Sequence, residues 1–252
     1  SLYKVTNSNL LFHGCIPMTA DGGFRKTDIL GNSLCGKALY DRLESCARKA
    51  FLSVNEVERK NGRDILWYLW NGADSPLYGR DKMTTFERYF IAGESTHVET
   101  KDIYYTLINN KETAEKIFDE FSVKGENRHI INGHVPVHHQ EGENPVKCDG
   151  RVIIIDGGFS RPYHKVTGIA GYTLIYNSYG LMLTAHEPFR SVGEAIKDCT
   201  DMQTHRVASE VADRRILVGD TDNGAKIKET IGDLKELINA YRSGEVRQNK
   251  HR

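Results

Sequence analysis

Two short apolar runs in this chain end alike and lie far apart. "NLLFHG" (residues 9–14) and "IINGHV" (130–135) each close on a histidine beside a glycine, His13 and His134, 121 positions apart. A third run, "GRVIIIDGG" (150–158), follows the second. The second and third carry β-branched residues bounded by glycine, which suits buried strands. If the runs lie in one sheet, the chain has to leave the first and return to it.

The intervening sequence has the spacing to do so. From Ser33, "SLCGKALYDRLESCARKAFL" repeats apolar residues at helical intervals, with Ser33 available as an N-cap. "GRDILWYLWNG" predicts a short helix ending at Gly72, "MTTFERYFIAG" another, and "DIYYTLINN" and "KETAEKIFDEF" two more. "YKVTNSNLLFHG" reads as one strand, "GYTLIYNSYGLMLTAHEPF" as a hairpin around "NSYG", and "RRILVG" as a late strand after a helix near residues 191–199. "AKIKETIGDLKELINAYRSG" closes with an amphipathic helix ending at Gly244. The sum is an α+β chain.

Bulk composition narrows the function classes. Lys plus Arg and Asp plus Glu both total 34, so no global field draws nucleic acid or an anionic membrane, and an anionic ligand needs a local basic cluster. The five cysteines are scattered without CxxC spacing, which reads as reduced thiols in a cytoplasmic protein. No apolar run approaches the roughly 20 residues of a membrane span.

Two strand-end histidines on one sheet edge can share a metal, because neutral imidazole suits Mn, Fe, Zn or Co. Each can equally be a hydrogen-bonded histidine at that edge. "DILWYLWNG" is most simply core, with Trp67 or Trp70 over a sugar ring as the alternative. "GDTDNG" (219–224) follows "RRILV", and Asp222 or Asn223 capping the last helix is favoured there over metal binding. His138 and His139 sit in a polar stretch and read as loop histidines.

"LLFHGCIP" and "NGHVPV…GRVIIIDGG" resemble the last two motifs of the calcineurin-like metallophosphoesterases. "SPLYGRDKMTTFERYFI", "DGGFSRPYHKVTGIAGYTLIYNSYGL" and "DTDNG…IGDLKELINAYR" are similar to class III fructose-1,6-bisphosphatases of bacteria, over essentially the whole chain. The resemblance implies the C-terminal part of an αββα sandwich. Residues 1–32 and 122–252 would be half of its catalytic domain and 33–121 a mostly helical insertion. It implies a dinuclear divalent metal centre, Mn by preference, with His13 and His134 as ligands of one ion. It also implies hydrolysis of fructose 1,6-bisphosphate to fructose 6-phosphate and phosphate, a gluconeogenic step. The motifs that supply the bridging aspartate and the general acid are not found in the chain and are expected upstream of Ser1, so the chain alone is expected to be an inactive fragment. It would depend on the N-terminal part of the same protein, and its exposed strand edges would favour self-association.

The basic set Arg80, Lys82 and Arg88, beside the Thr84 and Thr85 hydroxyls, is a candidate clamp for phosphate, as are Ser160, Arg161 and Lys165. The plain alternative for the first set is a solvated loop with Arg88 paired on its own helix. Asp156 would orient a histidine rather than bind metal, and Gly157 and Gly158 would let the backbone approach the site. A competing function is a non-catalytic module that binds phosphorylated metabolites or serves in assembly. A protein phosphatase or dinucleotide polyphosphate hydrolase fits less well, because those connect the two His motifs more briefly.

Overall fold

A computed structural model describes residues 1–160, 162–189, 191–199 and 204–246. Its strands and helices are, in order, β1 (Tyr3–Thr6), β2 (Asn9–Phe12), β3 (Thr27–Ile29), β4 (Asn32–Leu34), α1 (Gly36–Leu52), α2 (Glu56–Asn71), α3 (Thr85–Phe90), α4 (Tyr104–Leu107) and α5 (Lys111–Glu120). Then come β5 (His129–Asn132), β6 (Val146–Lys147), β7 (Val152–Ile154), α6 (His164–Thr167), β8 (Gly171–Asn177), β9 (Gly180–His186), α7 (Val192–Asp198), β10 (Thr204–Val211) and α8 (Asp222–Ser243). The chain is thus mixed α and β. It divides into two compact units, one of residues 1–174 and 183–208, the other of 175–182 with the residues from 209 onward.

In the first unit the three glycine-bounded runs become β2, β5 and β7. They pair in parallel, Leu10 opposite Ile130 and Ile130 opposite Val152, inside a five-stranded sheet ordered β1-β2-β5-β7-β6. Alternation sends Leu10, Phe12, Ile130 and Val152 to one face, where they pack with Tyr40 of α1, Tyr104 of α4, and Ile117 and Phe118 of α5. The single strand expected over residues 3–14 is instead a hairpin. Asn7 and Ser8 both take positive φ, 47° and 63°, forming the two-residue turn whose twist matches antiparallel neighbours.

A second cluster joins Leu39, Leu43 and Cys46 of α1 to Ile65 and Leu69 of α2 and Ile29 of β3. Ser33 does not cap α1: it lies in β4, opposite Asp28. The first helical N–H groups are met from outside instead, Lys37 donating to the Glu120 carboxylate at 2.8 Å. Helix α2 starts earlier than its apolar spacing implies, because Asn55 caps it by accepting from Val57 and Glu58 N–H at 2.9 and 3.1 Å. Replacing Asn55 with Ala is expected to cost about 1 kcal/mol in urea-unfolding stability. Trp67 and Trp70 are not core. They are 62% and 58% exposed and meet edge to face on the outside of α2.

β9 lies between β8 and β10 in a three-stranded sheet. Residues 214–219 form no strand, and the last strand lies earlier, at β10. Arg214 is drawn instead into a bidentate pair with Asp220 at 2.8 and 2.9 Å, and Ile216 N–H donates to Ser178 carbonyl at 2.7 Å. In the second unit Thr221, rather than Asp222 or Asn223, caps α8 by accepting from Gly224 N–H. Gly244 ends that helix in the left-handed conformation, as its position implies. Among the described residues no helix is long and apolar enough to cross a membrane.

Candidate functional site

Parallel pairing aligns the ends of β2 and β5, so the residues that follow them emerge side by side. Gly133 N–H donates to His13 carbonyl at 2.9 Å, extending the ladder one step. His134 then takes φ 69°, and this left-handed residue turns its ring back toward His13. Nε2 of His13 and Nδ1 of His134 stand 3.0 Å apart, with ring centroids at 4.8 Å. Buried Asn132 ties the two strand ends together from the core side, its Nδ2 donating to Gly14 carbonyl at 3.2 Å. Its Oδ1 is buried without a hydrogen-bond partner.

The far side of the His134 ring is also held. Nε2 lies 2.8 Å from the carbonyl oxygen of Tyr78, and a carbonyl can only accept, so the proton sits on Nε2 and the Nδ1 lone pair faces His13. Burial, and then the neighbouring His13 and Arg80, lower the pKa of His134 from the ordinary imidazole value, outweighing the Tyr78 bond and the charge of Asp156. The shift favours the neutral ring, the state in which imidazole ligates metals.

Asp156 follows β7 at the same sheet edge. Its carbonyl accepts from Val137 N–H and its carboxylate from Gly158 N–H, both at 2.9 Å. It contacts neither histidine by a hydrogen bond and acts on His134 through its charge. Gly157 is required by space, since a Cβ there would come within 2.7 Å of Gly171 Cα. Gly158 has φ 68°, which favours glycine.

The basic residues divide by what they already bind. Arg80 pairs with Glu99 at 2.8 Å and acts electrostatically on His134. Arg88 is committed inward, donating to Thr84 Oγ1 and His97 carbonyl, both at 3.0 Å, and not to an acid on its own helix. The buried Thr84 hydroxyl is spent on Glu99 at 2.9 Å, so it is not open to a ligand. Lys82, Ser160 and Lys165 are exposed, and Arg161 lies outside the described residues. His138 lies in its loop 3.4 Å from Glu141, and His139 falls in the short 3-10 turn after it.

Beside His13 opens an apolar cleft of about 420 Å³, lined by Leu2, Tyr3, Leu11, Leu77, Ile131 and Ile155 among others. Leu11 and Ile131 alternate with the core residues of β2 and β5, so this is the opposite face of the same sheet. Ser1 also borders this cleft. It adds no catalytic group of its own, because its hydroxyl donates to the Glu44 carboxylate of α1 at 2.8 Å, and Leu2 N–H donates to the same oxygen at 2.9 Å. Among the described residues no group of three or more His, Cys, Asp or Glu is placed to hold a metal. The site therefore offers two ring nitrogens with Arg80 and Asp156 acting on one of them through their charges.

The chain is thus an α+β protein in which parallel strand ends bring together two histidines from distant segments. The chain belongs to the Firmicute fructose-1,6-bisphosphatase family, whose profile matches residues 1–243. It is 50% identical to the fructose-1,6-bisphosphatase class 3 of Alkaliphilus metalliredigens over 253 residues, 99% of this chain and 38% of that protein. It is 49% identical to that of Parabacteroides distasonis over 250 residues and 50% identical to that of Clostridioides difficile over 249, each again 38% of the relative. The chain thus spans 38% of the length of these curated relatives. No solved structure matches it.

Proposed function

We propose that this chain carries part of the active site of a cytoplasmic, metal-dependent phosphatase that hydrolyses fructose 1,6-bisphosphate to fructose 6-phosphate and phosphate. The observation that carries the reading is the convergence of His13 Nε2 and His134 Nδ1 at 3.0 Å. Two nitrogens bound to one ion in adjacent positions at about 2.0–2.1 Å lie roughly 3 Å from each other, so the pair fits a shared divalent cation. Neutral imidazoles suit Mn, and the lowered pKa of His134 agrees.

When bound, such a metal centre polarises a phosphoryl oxygen and generates a nucleophilic water near neutral pH. The chain's own residues do the rest. His13 and His134 would hold the cation, and the charge of Asp156 would support them. Arg80, paired with Glu99, is the candidate guanidinium to meet the phosphoryl charge. Lys82, Ser160 and Lys165 are free to reach the second phosphate, and Arg161 belongs with them by sequence. The remaining ligands and the general acid come from the part of the relatives' length that this chain does not span, upstream of Ser1. There too lies the rest of a metallophosphoesterase sandwich, with residues 1–32 and 122–252 as one part of it and 33–121 as an insertion.

The test is phosphate release from fructose 1,6-bisphosphate by the protein at the relatives' full length and by the 252-residue chain alone. The long form is expected to turn over, to stop on chelation and to recover with Mn²⁺, while the short chain releases no phosphate. Turnover unaffected by chelation would overturn the metal reading. Turnover by the short chain would overturn the claim that it holds only part of the site.

A further inference from the structure

We infer that the backbone carbonyl of Tyr78, on the loop between α2 and α3, is a positioning group that sets the tautomer and direction of the His134 ring, and that Gly14 is a glycine to let that loop in. The inference rests on the proposed role of His134 as a ligand and adds what aims it. His134 occupies a left-handed turn that brings its ring back toward His13, and the ring is held there by contacts at both nitrogens. One is His13 at 3.0 Å and the other is the Tyr78 carbonyl at 2.8 Å. Without the carbonyl, the proton could move to Nδ1 and close off the lone pair that faces His13.

The carbonyl is itself held rigidly. Cys15 N–H donates to Pro76 carbonyl at 2.9 Å, so the loop is bonded to the chain two residues past His13. Gly79 N–H donates to Ser75 carbonyl at 2.8 Å, and the fully buried Ser75 hydroxyl donates to Leu69 carbonyl at 2.7 Å, anchoring the loop to the end of α2. A Cβ on Gly14 would fall 2.4 Å from Pro76 carbonyl oxygen and 2.9 Å from that of Leu77. Gly14 has no left-handed φ, so its reason is space and not conformation. A ligating histidine whose second ring nitrogen donates to a carbonyl is fixed in tautomer and aim, and losing such a partner costs about 10–100-fold in metal affinity. Here the partner comes from the helical segment and not from either histidine-bearing strand.

The test reads the His134 tautomer by long-range ¹H–¹⁵N correlation in the metal-free chain, and Mn²⁺ affinity in the protein at the relatives' full length. The wild type is expected to show the Nε2–H form. Gly14→Ala should give mixed tautomers and affinity about 10–100-fold weaker. Ser75→Ala, which loosens the loop without adding bulk, should shift both in the same direction by less. Gly62→Ala crowds a backbone elsewhere, its Cβ 2.5 Å from Ala50 N, and should leave both readings unchanged. A wild-type His134 protonated on Nδ1, or a folded Gly14→Ala and Ser75→Ala pair with wild-type readings, would overturn the inference. An Nε2–H tautomer that is lost in Gly14→Ala, in a protein that takes up no metal, would support the positioning role and sink the ligand reading alone.

Discussion

His134→Ala in the protein at the relatives' full length is expected to lower phosphate release by at least about 10²-fold, with Mn²⁺ affinity falling in parallel. Removing a partner that only supports a metal ligand already costs about 10–100-fold, so deleting the ligand itself should cost no less. His13→Ala should match it, because each imidazole supplies one of two nitrogens 3.0 Å apart. The double variant should be little worse than either single one, since groups that act on one ion form a unit and their losses do not add. Circular dichroism melts of the variants should stay near wild type, as neither ring lies in the hydrophobic core. A double variant with wild-type turnover would end the case for a shared cation.

Tyr40→Ala is expected to cost about 3–5 kcal/mol in urea unfolding, the range for truncating a large buried aromatic. Tyr40 is 1% exposed, and its ring meets Tyr3, Phe12 and Phe121 edge to face at 5.8, 6.2 and 5.6 Å. Its hydroxyl donates to Cys15 carbonyl at 2.8 Å, inside the core. The truncation therefore leaves both a cavity and a buried acceptor without its donor. Tyr40→Phe isolates the second effect and should cost about 1–3 kcal/mol. An alanine variant within about 1 kcal/mol of wild type would place Tyr40 outside the core that packs the sheet on α1, α4 and α5.

The central strands β5 and β7 were legible because their burial leaves short β-branched runs bounded by glycine, and β2 because its apolar run is equally short. Those runs ending alike left a common site for His13 and His134 as one of two open readings, and the structure brings the two rings together. The features that were not legible have physical reasons. The Asn7–Ser8 turn contains no glycine, the residue that most often marks a two-residue hairpin turn, so nothing local separates β1 from β2. The start of α2 is polar, its apolar stripe beginning only at Ile65, and Gly62 packs by being small. Ser33 lost its capping role to a distant carboxylate, Glu120, which no local window contains. The outward face of Trp67 and Trp70 breaks the rule that aromatics at helical spacing lie inside. The Tyr78 carbonyl had no signal at all, because every residue has one. Only the glycine at position 14 pointed to a close approach, and the histidine before it already accounted for that position.

The pairing of β2 with β5 also has a cost in time. Asn9 and His129 meet across 120 residues, so the sheet and its histidine pair form only after a long loop closes, which is slow for any chain. During synthesis at about 5–20 residues per second, β2 waits roughly 6–24 s for its parallel partner to emerge from the ribosome. The hairpin at Asn7–Ser8 gives it a local neighbour within that interval and covers one of its two edges. Variants that weaken this turn should therefore lower the yield of soluble protein more than they lower the stability of what has folded.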